Sequence, residues 1–361
     1  MKRIASIDIV RGIVMTLMAI DHVRVYAGVP AGGPNPGVFF TRWITHFVAP
    51  AFVFLAGTSA YLRGRSHPAL SKYLLTRGLW LVVLELTVIR VAWTFNFDFA
   101  NYMLAGVIWV IGWCMILMAA LVHLPVRVIG AIGIAIVALH NIADFFPSDA
   151  EPNSFLKLLY FGGGISGTPL IVLYVIVPWI GVMMCGYAFG AHHSIALRLG
   201  IAMTIAFVVL RAIGVYGDPR PWTSEAPPLM FLATTKYPAS LQFLLMTLGP
   251  MLILLSFAES WRGKIAGVLE TFGRVPFFYY LLHIPVIHLA ACIVSLIREG
   301  SVNPWLFGNH PMAPPPVPEG YMWSLGLLYL VFAICVIALY FPCRWFARIR
   351  ATRRSAWLSY L

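Results

Sequence analysis

Asp21 and His22 stand side by side in "AIDHVRVY", near the far end of an apolar stretch that begins at residue 9. A carboxylate beside an imidazole is material for proton transfer, because an ordinary histidine pKa of about 6.5 lets the ring take and return a proton near neutrality. Neighbouring residues on a helix point in different directions, so one wet face does not account for both groups. Arg11 precedes His22 by close to three whole turns. The two therefore share a face, about 16 Å apart along the axis, with Met15 and Met18 between them. A cation near the inner surface and a titratable group near the outer one would suit an elongated ligand with an anionic head inside and a reactive tip outside. The plainer alternative is that Arg11 pairs with Asp8 one turn away. His46, His283 and His288 bring further imidazoles into later apolar stretches. His283 and His288 are five positions apart, about 140° around a helix, so they do not share a face unless Pro285 bends it.

The elements that must position these groups are spans of lipid bilayer. Hydrophobic residues make up 60% of the 361 and charged residues 11%, where soluble domains carry about 25% charged. With a mean hydropathy of +0.85, the composition excludes a soluble globular protein. It describes an all-α polytopic membrane protein, a single domain over 1–361. Apolar runs of spanning length fall near 9–28, 43–62, 73–94, 103–123, 126–145, 169–190, 195–216, 238–257, 275–297 and 322–346, about ten helices. The N-terminus imitates a secretory signal, but Asp8 and Arg11 interrupt its apolar region, so it reads as a retained first span. The five cysteines show no C-x-x-C spacing and read as small buried hydrophobes.

The net charge of +12 comes from basic residues spread along the chain, which points to membrane orientation and not to nucleic acid. With the N-terminus inside, cytoplasmic loops hold sixteen of the 25 basic residues and outer loops six. The cytoplasmic set includes Lys2, Arg3, Arg63, Arg65, Lys72, Arg77, Arg262, Lys264 and the tail Arg344, Arg348, Arg350, Arg353 and Arg354. Both termini are expected in the cytoplasm, and the long loops 29–42, 146–168, 217–237 and 298–321 outside. Most embedded polar groups then share the outer half of the membrane: Asp21, His22, His46, Arg90, His140, Asp144, Arg211, His283 and His288. Their common depth predicts one outward-facing polar cavity. Arg90 and Arg211 could instead reach headgroups. His140 and Asp144 are spaced as a local pair. Glu85 reads as a buried structural group whose partner the sequence does not name.

Four stretches carry a resemblance. "SIDIVRGIVMTLM" looks like the opening of transmembrane acyltransferases related to heparan-α-glucosaminide N-acetyltransferase. "FFTRWITHFVAPAFVFLAGTSAYL" resembles that family's second-span motif. "FGRVPFFYYLLHIPVIH" and "TKYPASLQFLLMTLGP" are similar to its bacterial branch. The resemblance runs from about residue 3 to 346. It implies a transmembrane acetyl transfer from cytoplasmic acetyl-CoA to a sugar on the far side, and it matches the family's first-span arginine and glycine to Arg11 and Gly12 as donor-side residues. The eukaryotic branch has its proposed catalytic histidine in the loop after the first helix. Here the loop from Val23 to Thr45 has none, and His22 occupies the helix end.

The sequence therefore predicts a multi-pass enzyme of the cell's inner (cytoplasmic) membrane that transfers an acyl group, by O- or N-acylation, from acetyl-CoA to an extracytoplasmic carbohydrate. A thioester needs little activation, whereas the acceptor does. His22 is the expected general base, oriented by Asp21 or another acid. His46 or His283 would stabilise the oxyanion or position the acceptor, and Arg11 would meet phosphate. No metal is expected, because no H-E-x-x-H spacing accompanies Asp21, His22, His46 and the late histidines. The competing reading is a proton-coupled transporter or flippase using the same His/Asp set.

Overall fold

The computed structural model describes residues 4–145, 151–312 and 314–353. Lys2, Arg3 and Arg354 of the cytoplasmic basic set, and 146–150 of the expected outer loop, lie outside them. The chain is mostly helical, and the expected runs overlap helices, although 103–123 and 169–190 begin in short strands, Met103–Ala105 and Leu170–Val172. Among the described residues, six helices are long and apolar enough to cross a membrane: Pro36–Gly64, Val126–Phe145, His193–Ile213, Leu241–Ala258, Pro276–Glu299 and Leu325–Thr352. Val107–Leu121 and Ile176–Ala191 are apolar but shorter.

Two compact units form, one from Ala49–Leu86 and Asp98–Ser256, the other from 4–48, Thr87–Phe97 and 257–353. In chain order the helices are α1 (Ala5–Tyr26), α2 (Pro36–Trp43), α3 (Val48–Gly64), α4 (Leu70–Leu84), α5 (Arg90–Thr94), α6 (Val107–Leu121), α7 (Val126–Leu139), α8 (Ser154–Leu156), α9 (Ile176–Ala191), α10 (Ala196–Ile213), α11 (Leu241–Ala258), α12 (Lys264–Arg274), α13 (Pro276–Glu299) and α14 (Leu325–Thr352). Three short strands, β1 (Met103–Ala105), β2 (Gly163–Gly164) and β3 (Leu170–Val172), make one small sheet in the order β1-β3-β2.

The first unit contains nearly all of α3 and α11, together with α4, α6, α7, α8, α9 and α10. Where lipid offers no hydrophobic gradient between helices, small residues let backbones approach. A side chain on Gly186 would collide with the Phe54 carbonyl of α3, and Thr58 Oγ1 donates to the Gly186 carbonyl at 2.9 Å. Glu85 finds its partner here. Gly106, the N-cap of α6, has no side chain to offer the helix. Glu85 supplies the missing acceptor, its Oε2 lying 3.0 Å from Ile108 N and 3.3 Å from Trp109 N. The carboxyl group is thus held by two amides at a helix N-terminus. The helix carrying it passes through a π turn, Glu85–Ile89.

Arg211 does not reach for headgroups. It is buried, and its guanidinium donates to the carbonyls of Phe231, Arg220, Met230 and Ala233 and to Gln242 Oε1, gathering the loop that follows α10. His140 and Asp144 take separate partners. The imidazole faces the carbonyls of Ile136, Val137 and Ala239, while Asp144 accepts from Asn141 Nδ2 and Tyr160 OH.

The second unit packs α1 against α12, α13 and α14. Its closest contact is backbone on backbone: a side chain on Gly12 would overlap the Leu269 carbonyl, and one on Gly273 the Asp8 carbonyl. Helix α12 falls in the segment expected to be a cytoplasmic loop. It is short, and Ala266, Phe272 and Gly273 form its buried face. Arg90 is also buried in this unit, donating to Thr94 Oγ1 and to the carbonyl and Oδ1 of Asn96, so its headgroup role is likewise replaced by a structural one.

Candidate active site

Helix α1 suits its place at both ends. Asp8 stands in its first turn and Arg24 in its last, each favourable to the helix dipole. His22 lies one turn before the C-terminus and is half-buried. Helix α13 opens with Pro276 at its first position and brings a fully buried His283 to meet it. His22 Nδ1 and His283 Nε2 are 2.6 Å apart. The ring centroids are 4.7 Å apart and the planes 25° from parallel, so the imidazoles lie nearly edge to edge, as an in-line bond between ring nitrogens requires.

A third contact sets the direction of this bond. His283 Nδ1 sits 2.6 Å from the Tyr280 carbonyl. A carbonyl oxygen only accepts, so that nitrogen carries the hydrogen. Neutral His283 then presents a lone pair at Nε2, and His22 Nδ1 is the donor to it. Neutral His22 therefore keeps its own lone pair at Nε2. Tyr279 stacks on His283 at 5.5 Å, and Trp93 meets His22 edge to face at 4.8 Å. Trp93 and the Tyr280 carbonyl escaped the sequence reading, since neither residue type nor spacing marks them.

Asp21 is engaged from two sides. Arg24 Nε donates to Oδ1 at 2.8 Å and Arg42 NH1 to Oδ2. The acid expected to orient His22 is thus the tie between α1 and α2, and the orienting group on His22 is His283. Arg42 was legible only as one of the outer basic residues. His46 lies in the 3-10 turn Ile44–Phe47, which packs against α1. His288 is separate from the His22 pair: it is fully buried between Tyr26 at 4.7 Å and Phe95 at 3.8 Å, with Nδ1 3.3 Å from the Ala92 carbonyl.

At the other end of α1, Arg11 NH1 lies 3.7 Å from Asp8 Oδ1, so the plainer pairing is present. Gly12, expected on the donor side, is buried where α12 crosses, its Cα against the Leu269 backbone. Met15 and Met18 are buried too. On the shared face, Met15 and Met18 thus pack against protein, while Arg11 and His22 at its two ends stay partly exposed. Among the described residues, no group of three or more His, Cys, Asp or Glu side chains is arranged to hold a metal ion.

The family described as heparan-alpha-glucosaminide N-acetyltransferase, catalytic, matches residues 3–217, more than half of the 361. The chain belongs to this family. It is accordingly a multi-pass membrane protein of an acetyltransferase family. No curated protein matches it in sequence. The family match takes in Arg11, Gly12, Asp21, His22 and His46 and ends before α13, so the family's portion contributes the base candidate and the remainder contributes His283.

Proposed function

We propose that the chain is one transmembrane acyltransferase domain, crossing the inner membrane about ten times with both termini in the cytoplasm. It moves an acetyl group from cytoplasmic acetyl-CoA to a hydroxyl or amine of an extracytoplasmic sugar or glycan. The observation that carries this reading, beside family membership, is the one-way hydrogen-bond chain from His22 through His283 to the Tyr280 carbonyl. It leaves the basic lone pair of His22 at Nε2.

In the reaction, His22 Nε2 removes the acceptor proton as the acceptor oxygen or nitrogen attacks the thioester carbonyl carbon. The tetrahedral intermediate collapses, the C–S bond breaks, and the CoA sulfur leaves with the proton held at Nε2. During that interval His22 is an imidazolium. Its Nδ1–H then makes a charge-assisted bond to His283 Nε2, stronger than the neutral bond before proton transfer. His283 is thus a positioning and stabilising group that needs no charge of its own. Arg11 is the candidate contact for donor phosphate, in exchange with Asp8. Asp21 holds the arginines, and through Arg42 the entry into the turn that carries His46, the candidate contact for the acceptor.

The test is acetyl transfer by the purified protein in vesicles, with labelled acetyl-CoA and a panel of sugars and oligosaccharides. Label recovered in a sugar supports the reading. A protein that binds no CoA but couples solute movement to protons would instead support the transporter or flippase reading.

A further inference from the structure

A helix ends with carbonyls that have no donors of their own. At the end of α1, three consecutive ones are taken up by a single distant segment, 301–323. Asn309 Nδ2 donates to the Val25 carbonyl at 2.9 Å. Tyr321 OH donates to the Tyr26 carbonyl at 2.9 Å. The Trp323 amide donates to the Ala27 carbonyl at 3.0 Å. The chain's own continuation offers Val25 the Ala27 cap amide and, at 3.3 Å, Gly28 N.

Asn309 and Tyr321 are buried, and the segment bearing them is itself tied down. Arg298 donates to the Tyr321 carbonyl at 2.9 Å. Trp305 Nε1 reaches the Pro315 carbonyl at 3.0 Å. Asn96 Nδ2 reaches the Phe307 carbonyl at 2.7 Å. His22 lies within one turn of the capped carbonyls. Its bond to His283 and its contact with Trp93 both depend on how α1 is rotated about its axis, and a frayed last turn would release that rotation.

We propose that Asn309 and Tyr321 are positioning residues that cap α1 from a distant loop and so hold the His22 ring in line with His283. The catalytic consequence rests on the acyltransferase reading; the orientation of His22 does not. The experiment uses full-length protein carrying Tyr321→Phe, which removes one hydroxyl and keeps the ring, and Asn309→Ala. Two quantities are read: the rate of His22 carbethoxylation by diethyl pyrocarbonate, located by mass spectrometry, and kcat with KM for acetyl transfer.

The expected result is a two- to tenfold rise in His22 modification for each variant. It comes with a roughly two- to tenfold fall in kcat and an unchanged KM for acetyl-CoA, the size of one hydrogen bond's contribution. Unchanged His22 modification in both variants overturns the proposal, even if the melting temperature falls, because the cap would then be merely structural. Altered modification with unchanged kcat in an active enzyme also overturns it. If the wild type transfers nothing, the acyltransferase reading fails on its own, and the modification rates still decide whether the cap orients His22.

Discussion

Replacing His283 by leucine removes the acceptor for His22 Nδ1 while keeping a buried side chain of similar reach. His283 is fully buried and lies 2.6 Å from His22, so little water is available to take its place. A hydrogen bond to a charged group contributes about 1.5–3 kcal/mol. At 1.36 kcal/mol per tenfold, loss of the bond to the imidazolium should lower kcat by roughly 10- to 150-fold. Removing the base itself, in His22→Gln, should lower it by about 10²–10⁴-fold. His283→Gln offers an amide oxygen to the same donor and should fall between wild type and leucine. Because His283 acts through His22, the double variant His22→Gln/His283→Leu should be no slower than His22→Gln alone. The assay is single-turnover acetyl transfer on purified protein, with CoA binding measured on the same preparations. Multiplicative losses in the double variant, or a fully active His283→Leu, would refute the relay.

Three further outcomes are expected. Arg11→Ala should weaken CoA binding about ten- to hundredfold by calorimetry, the value of a charge-assisted phosphate contact; unchanged affinity would leave Arg11 as the partner of Asp8 alone. Glu85→Ala strands the amides of Ile108 and Trp109 and should cost about 1–3 kcal/mol for each buried donor, seen as a lower melting temperature, while Glu85→Gln keeps an acceptor and should lose less. In the 301–323 segment, burial and then the neighbouring Arg90 guanidinium pull His310 down to about 4. Its value in the unfolded chain is about 6.5, so the unfolded state binds the proton first, and stability falls as pH drops from about 6.5 to about 4, by about 1–2 kcal/mol once solvent screening is allowed for. His310→Gln should flatten melting temperature against pH over that window.

Helix positions were legible because lipid-spanning runs are long and apolar; the runs 103–123 and 169–190 nevertheless begin in short strands that the hydropathy does not mark. Helix α12 was missed because one short amphipathic face between basic residues looks like a loop. The Arg11–Asp8 pairing was legible as an i, i+3 spacing. The His22–His283 pairing was not, because sequence reports depth in the membrane but not how two helices are turned toward each other. Arg24 on Asp21 has the same local i, i+3 spacing; the same blindness hid Arg42, whose direction is set by α2, and the neighbours of Gly12, which only the crossing of α12 reveals. Arg90 and Arg211 look like headgroup contacts in a hydropathy plot. Loop carbonyls folded back over the helix ends make them structural, and nothing in the local sequence announces such loops.

The most direct measurement is one turnover of labelled acetyl-CoA on wild type and His22→Gln in parallel, with CoA affinity measured on both. The central claim predicts equal CoA binding and a transfer rate lower by about 10²–10⁴-fold in the variant. Transfer at the wild-type rate by His22→Gln would contradict it.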